Sequence, residues 1–168
     1  MKRLVYTLAV LLSPFFVFSQ NITGLWKGTI YNDSTKQSLP YEVYICKESG
    51  KLTGYSHTCF AIDGKQYYGI KKVKVRQAKD GKIVILDDAM LANNYPAIDK
   101  NVLQLNVLDL TGTTTEPVLD GPFETNRTKQ YGILTGHINL KKADAGAESA
   151  LMNYLQRSSN ENGVTASN

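Results

Sequence analysis

Residues 22–28 read Ile-Thr-Gly-Leu-Trp-Lys-Gly and contain the single tryptophan of the chain, Trp26. They follow an apolar leader and begin the first segment with strand-like composition. A Gly-x-Trp run, here Gly24 and Trp26, at the start of the first strand of a small exported protein is typical of a closed β-barrel. The interior of such a barrel is the natural place for a ligand. We therefore expect Trp26 to close one end of a barrel.

A period-two alternation of apolar and polar residues continues along the chain and is interrupted by Gly, Asp, Asn and Pro. The connections between segments are short, so neighbouring strands should pair antiparallel, and closure removes the free edges. The predicted fold class is all-β, an antiparallel up-and-down barrel of about eight strands. The predicted strands are residues 22–31, 40–47, 51–60, 66–76, 82–91, 102–110, 118–125 and 131–141.

Alternate connections of an up-and-down barrel lie at the same end. Three compact turns should lie beside Trp26, at 48–50, 78–81 and 112–116. The connections at the opposite end are longer and rich in Asn, Asp, Lys and Thr, at 32–39, 61–65, 92–101 and 126–130. Because loops on a rigid scaffold commonly carry recognition, we expect this second end to be the mouth of any binding site.

Residues 1–19 have the parts of a secretory signal: Lys2 and Arg3, an apolar run, and small residues before a cut near Ser19 and Gln20. The apolar run is short for a membrane span. We expect a secreted or periplasmic protein with no integral membrane segment after cleavage. Removing Lys2 and Arg3 lowers the formal net charge from +4 to +2, which gives no global electrostatic reason for binding nucleic acid or membranes.

The pattern changes after Lys142. Apolar residues then recur every three or four positions, as on one face of a helix, and Asp144 is placed to cap that helix. The polar stretch at the end of the chain has no pattern and is predicted to be disordered. The predicted organisation is a signal peptide at 1–19, a β-barrel domain at 20–142, a helix packed outside the barrel at 143–157, and a disordered tail at 158–168.

Two short runs resemble those of calycin barrels, the group of lipocalins, fatty-acid-binding proteins and avidins. Gly-x-Trp at Gly24 and Trp26 is similar to the lipocalin signature, and its combination with Leu52-Thr53-Gly54 is similar to avidin. The rest of the chain resembles uncharacterised secreted proteins of Bacteroidetes type. The resemblance implies a lipocalin-like closed barrel in which Gly24 and Trp26 have a structural role.

Cys46 and Cys59 are an even pair in a chain with an export signal, for which a disulfide is the default expectation. If Ser49 and Gly50 form the tip of a hairpin, however, Cys46 faces Thr53, and Cys59 lies roughly 20 Å away at strand spacing. We therefore predict two separate thiols. A different strand register would allow a bridge.

The same register places Glu42 opposite His57 on one face of the hairpin. The other face carries Tyr41, Val43 and Ile45. The sequence does not indicate which face lies inside the barrel. If Glu42 and His57 point inward, they could act as acid and base; if they point outward, they form an exposed cross-strand pair.

Two loops predicted at the mouth, 92–96 and 125–129, combine amide, guanidinium and hydroxyl groups that could hold a carboxylate or a sugar. Turn formation explains their Asn and Pro residues equally well. The candidate ligand-binding residues are Asn93, Asn94, Tyr95, Asn126, Arg127 and Lys129.

Basic residues cluster around the fourth strand, between Lys65 and Lys82. Their alternation with Val73 and Val75 indicates a solvated face, so we predict no nucleic-acid partner, with an anionic glycan as the alternative. A break in the alternation indicates a bulge near Lys71. The two histidines of the chain are far apart and lack partners at ligand spacing, so we predict no metal site and no cofactor.

The function these patterns favour is non-catalytic binding of a small hydrophobic or amphipathic molecule, or of a glycan fragment. Two alternatives stay open: a barrel enzyme that uses Glu42 and His57, and a cell-surface interaction module without a pocket. The sequence specifies neither the ligand nor the oligomeric state.

Overall fold

The computed structural model describes residues 21–95 and 101–164, with side chains to residue 161. They form a closed barrel of eight antiparallel strands in sequential order, followed by one helix, which confirms the predicted fold class. The predicted signal at 1–19 lies outside the described residues. The elements are β1 (Gly24–Asn32), β2 (Gln37–Glu48), β3 (Lys51–Ile62), β4 (Lys65–Gln77), β5 (Ile83–Asn93), β6 (Gln104–Gly112), β7 (Pro117–Thr125), β8 (Thr135–Lys142) and α1 (Ala150–Val164).

The barrel closes because β1 pairs with β8 as well as with β2. Consecutive connections therefore lie at opposite ends, and alternate connections share an end. We call one the turn end, formed by residues 49–50, 78–82 and 113–116. We call the other the loop end, formed by the described residues of the connections β1–β2, β3–β4, β5–β6 and β7–β8, at 33–36, 63–64, 94–95 with 101–103, and 126–134.

The β2–β3 hairpin has the predicted register, with Glu42 opposite His57 and Cys46 opposite Thr53. Cys46 and Cys59 are free thiols, as predicted.

The face of the β2–β3 hairpin that carries Tyr41, Val43 and Ile45 is buried in the interior of the barrel. The opposite face, with Glu42 and His57, therefore points outward.

The interior near the turn end is filled with apolar side chains. Trp26 is fully buried there, and its Nε1 donates a hydrogen bond of 2.8 Å to the backbone oxygen of Ile22. The ammonium of Lys142 lies 5.8 Å from the centre of the indole, a cation–π contact. The other apolar core residues include Val43, Ile45, Val73, Val75, Ile83, Ile85, Leu108, Leu119, Ile138 and Leu140.

The ladder between β5 and β6 is short. Only four residue pairs join these strands, from Ile83 opposite Leu108 to Leu86 opposite Leu105. The register of β4 with β5 shifts beside Lys71, where the sequence predicted a bulge. In the ladder between β4 and β5, two residues of β5 are left without a partner on β4: Asp88 and Leu91. Toward the loop end, β5 therefore continues its pairing with β4 beyond the last residue that it pairs with β6.

The C-terminal helix lies outside the barrel against β2 and β3, as predicted, but its bounds differ from the predicted 143–157. Asp144 lies in a turn, where its carbonyl accepts the N–H of Ala147. Ser149 is the actual N-cap, because its Oγ accepts the N–H of Met152 at 3.1 Å. The helix then continues to Val164, into the segment 158–168 that was predicted to be disordered.

In the described part of the chain, no helix is both long enough and apolar enough to cross a membrane.

Candidate functional site

The interior near the loop end is polar, in contrast to the turn end. Tyr41 is buried, and its hydroxyl accepts hydrogen bonds from Asn106 Nδ2 at 3.2 Å and Gln104 Nε2 at 3.5 Å. Gln104 Nε2 also donates to Asn106 Oδ1 at 2.8 Å. The buried Ser56 extends the same inner face from β3, where it pairs with Val43. A layer of hydrogen-bonding side chains therefore lies above the apolar core.

An ion pair adjoins this layer. Lys71 Nζ lies 2.5 Å from Asp87 Oδ2, and the same carboxylate oxygen accepts the backbone N–H of Gln104 at 2.9 Å. The side chains of Lys71 and Asp87 retain only 19% and 7% of their exposure. Burial, together with the negative charge of Asp87, raises the pKa of Tyr41 well above its ordinary value. The Tyr41 hydroxyl is therefore a neutral hydrogen-bonding group at physiological pH.

Three aromatic rings lie beside the polar layer. The ring of Phe60 is 5.6 Å from that of Tyr67 and 5.4 Å from that of Tyr95, between centroids. Tyr95 occupies the space above Gly69, where a Cβ atom would lie 2.0 Å from its hydroxyl. Burial, then the charge of Asp87, raises the pKa of Tyr95 to about 12. We call this aromatic and polar group the loop-end cluster: Tyr41, Phe60, Tyr67, Lys71, Asp87, Tyr95, Gln104 and Asn106.

The loop-end cluster is internally satisfied. Every buried side-chain nitrogen or oxygen in the described residues has a hydrogen-bond partner. A polar ligand would therefore bind by exchanging hydrogen bonds with these groups rather than by filling an unmet requirement. Displacement of the Tyr95 side chain would uncover the backbone at Gly69, because the Tyr95 ring rests on that glycine.

Of the six predicted ligand-binding residues, the structure places Tyr95 in this cluster. The amides of the three asparagines hold the backbone. Asn94 accepts the N–H of Tyr68 at 2.7 Å, and Asn126 accepts the N–H of Leu103 at 2.8 Å, while Asn93 accepts the N–H of Tyr95 at 3.1 Å. Each amide thus stabilises a connection at the loop end.

The remaining two predicted residues, Arg127 and Lys129, are exposed in the β7–β8 connection. The structure brings neither side chain to the interior layer. Their predicted role in holding a ligand stays a prediction, as does that of the three asparagines.

The structure brings Glu42 and His57 together, but on the outer face. His57 Nδ1 is 3.7 Å from Glu42 Oε2. The same oxygen accepts hydrogen bonds from Ser149 Oγ at 2.9 Å and from Leu151 N at 3.0 Å. Lys27 Nζ lies 3.3 Å from Glu42 Oε1. The Glu42 carboxylate is therefore occupied by the start of α1.

The electrostatics of Glu42 favour a permanent charge. Burial would raise the pKa of Glu42, but the interactions with His57, Leu151 N, Ser149 and Lys27 outweigh it and lower the pKa to about 2. A carboxylate with so low a pKa is a weak proton acceptor near neutral pH. This arrangement is suited to fastening a helix.

Sequence reasoning did not select most of the loop-end cluster. Asn106 lies between Leu105 and Val107, an alternation that places it outside the barrel, yet it is 1% exposed. The one available signal was the pairing of Tyr41 with Val43 and Ile45 on a single face, which places an aromatic hydroxyl inside whenever that face is buried.

Two surface clefts lie at the turn end, on either side of Asn21. The first, of 560 Å³, is lined by Gly24, Tyr44 and Lys47 among others. The second, of 260 Å³, is lined by Leu110, Pro117 and other residues. Neither borders the loop-end cluster.

Comparisons with known protein families, with curated proteins and with solved structures gave no match to this chain. The structure alone defines the class of protein. It is an eight-stranded, antiparallel, up-and-down closed β-barrel with one external helix, an architecture consistent with a calycin-like fold.

Proposed function

We propose that this protein binds a small amphipathic molecule or a glycan fragment at the loop end of its barrel, without catalysis. The observation that carries the proposal is the loop-end cluster: a polar layer with a buried ion pair, beside three aromatic rings. Apolar side chains fill the other half of the same barrel. Buried ion pairs contribute less to stability than well-packed apolar groups. The polar layer is therefore better explained by recognition of a ligand than by a role in filling the barrel interior.

The chemistry of the cluster favours an uncharged polar group on the ligand. Lys71 and Asp87 neutralise each other at 2.5 Å, so a charged ligand would have to compete with one member of the pair. Tyr41, Gln104 and Asn106 can exchange neutral hydrogen bonds with hydroxyl or amide groups. The rings of Phe60 and Tyr95 offer faces for an apolar or sugar surface.

The proposed site does not include Glu42 and His57. Their carboxylate and imidazole lie on the outer face of β2 and β3, and Glu42 is engaged by α1. The predicted export signal supports a role outside the cytoplasm.

Native mass spectrometry of the protein purified from the cells that produce it tests the proposal by detecting a co-purified small molecule. A titration with Nile red, a neutral amphipathic dye, is the second measurement. We expect Tyr95→Ser to weaken dye binding roughly tenfold, because it removes one ring face from the site. The matched control is Tyr44→Ser, on the outer face of β2.

The proposal fails if no small molecule co-purifies and the dye shows no saturable binding. It also fails if Tyr44→Ser weakens dye binding as much as Tyr95→Ser does.

A further inference from the structure

The exposed large apolar side chains of the described residues are all at or near the loop end. They lie on β3, β4 and β5 near that end and in the connections β5–β6 and β7–β8. We call six of them the apolar rim: Ile62, Leu91, Leu103, Tyr131, Ile133 and Leu134. Their exposed fractions range from 37% for Leu134 to 53% for Ile133, and Tyr68 on β4 is a seventh, at 37%.

The arrangement of the rim matters as much as its composition. Ile62 belongs to the β3–β4 hairpin, Leu103 precedes β6, and Ile133 lies between β7 and β8. The side chains therefore project from strand ends and from separate connections around the loop end. A fluid lipid surface accommodates such separate projections, whereas a protein partner would need a complementary surface for each of them.

The charge of the β7–β8 connection, which carries three of the six rim residues, adds a second argument. Residues 126–134 carry Arg127 and Lys129 and no acidic residue, immediately before Tyr131, Ile133 and Leu134. Basic side chains beside exposed aliphatic and aromatic residues are suited to the headgroup region of a membrane with anionic lipids.

We propose that the loop end docks on an anionic lipid surface, with the apolar rim entering the acyl boundary and Arg127 and Lys129 contacting lipid phosphates. Docking in this orientation would place the loop end of the barrel against the membrane. The inference does not depend on the ligand proposed above, because the rim is on the outside of the barrel.

Quenching of an introduced tryptophan by brominated lipids tests the orientation directly. The parent chain receives Ile133→Trp in the rim or, as a matched control, Thr114→Trp in the exposed β6–β7 connection at the turn end. Vesicles consist of brominated phosphatidylcholine, alone or mixed with phosphatidylglycerol. We expect quenching and a blue shift for the indole introduced at residue 133 on mixed vesicles, and neither change at residue 114. Because both variants keep the predicted apolar leader, any attachment through residues 1–19 affects them equally.

The contribution of charge is measured in the Ile133→Trp chain. Arg127→Gln combined with Lys129→Gln should raise the lipid concentration needed for half-maximal quenching by roughly tenfold on mixed vesicles. Lys51→Gln combined with Lys79→Gln, two exposed lysines at the turn end, should change it little.

The proposal would be overturned if the indole at residue 133 were not quenched, or if the indole at residue 114 were quenched as strongly. It would also be overturned if the Lys51 and Lys79 substitutions weakened quenching as much as the Arg127 and Lys129 substitutions do. Quenching at residue 133 that is as strong on vesicles without phosphatidylglycerol as on mixed vesicles would overturn it too. A blue shift at residue 133 that grows with protein concentration in the absence of lipid would assign the rim to a second copy of this chain instead. Circular dichroism confirms that each variant retains the barrel.

Discussion

The carboxylate of Glu42 on β2 accepts the backbone N–H of Leu151 in the first turn of α1 at 3.0 Å. The first turn of this helix has no acidic residue of its own, so a strand supplies the negative charge that the helix N-terminus favours. Because Leu151 is also fully buried, one polar and one apolar contact together fix the helix to the barrel.

Glu42→Gln should lower the free energy of unfolding by roughly 1–2 kcal/mol at neutral pH, since it keeps the shape but removes the charge. Urea unfolding followed by circular dichroism measures the difference. Glu124→Gln, at an exposed carboxylate on β7, is the matched control and should change stability by less than about 0.5 kcal/mol.

The stabilities of the parent protein and of Glu42→Gln should depend differently on pH. The pKa of Glu42 is lowered from 4.5 to about 2 in the folded state, so its stabilising effect is complete above the unfolded pKa and is lost as the pH falls toward the folded pKa. The stability difference between the parent and Glu42→Gln should therefore shrink between about pH 5 and pH 2. A difference that stays constant over this window would contradict the assignment.

Asp87→Asn should destabilise the barrel by roughly 2–3 kcal/mol, because it leaves the buried ammonium of Lys71 without a counter-charge. Lys71→Met combined with Asp87→Asn should recover most of that loss. A double-mutant cycle that also includes Lys71→Met alone gives the coupling energy. Additive effects would show that the two side chains do not interact in solution.

Gly28→Ala should destabilise the junction of β1 and β8. A Cβ atom at residue 28 would lie 2.1 Å from the backbone oxygen of Asn139, so the two strands must separate at a cost of roughly 1–3 kcal/mol. Gly132→Ala is the control, because nothing lies within 4 Å of its added Cβ. Equal unfolding midpoints for the two variants would show that the close approach at Gly28 is absent.

Thiol titration in denaturant without reductant should find two free thiols for each chain, at Cys46 and Cys59. In the folded protein, burial and the nearby Glu48 raise the pKa of Cys46. Less thiolate is then present at neutral pH, so alkylation of Cys46 should be slow and should accelerate as the pH rises. A chain without reactive thiols would show that the residues are bridged.

The register of the β2–β3 hairpin could be predicted to the residue because its turn is local, whereas the predicted bounds of both strands were too short. Ser49 and Gly50 both adopt positive φ, at 49° and 78°, and such a turn fixes the strand register. The pairing of Glu42 with His57 followed from that register.

The position of the start of α1, which packs over Glu42 and His57, could not be predicted in the same way. Asp144 and Ser149 are both good N-cap residue types, and the contact of Ser149 with Glu42, 107 positions away in the chain, decides between them. The buried position of Asn106 likewise depends on long-range contacts, because its hydroxyl partner is on Tyr41.

The short ladder between β5 and β6 divides the barrel into two meanders, β1–β5 and β6–β8. Four residue pairs hold these two units together on that side, whereas the β1–β8 junction has seven. The opening that needs the least free energy should therefore occur between β5 and β6, and amide protons there should exchange with solvent before those of β1 and β8. Access to the interior from the side, through this seam, would then precede global unfolding.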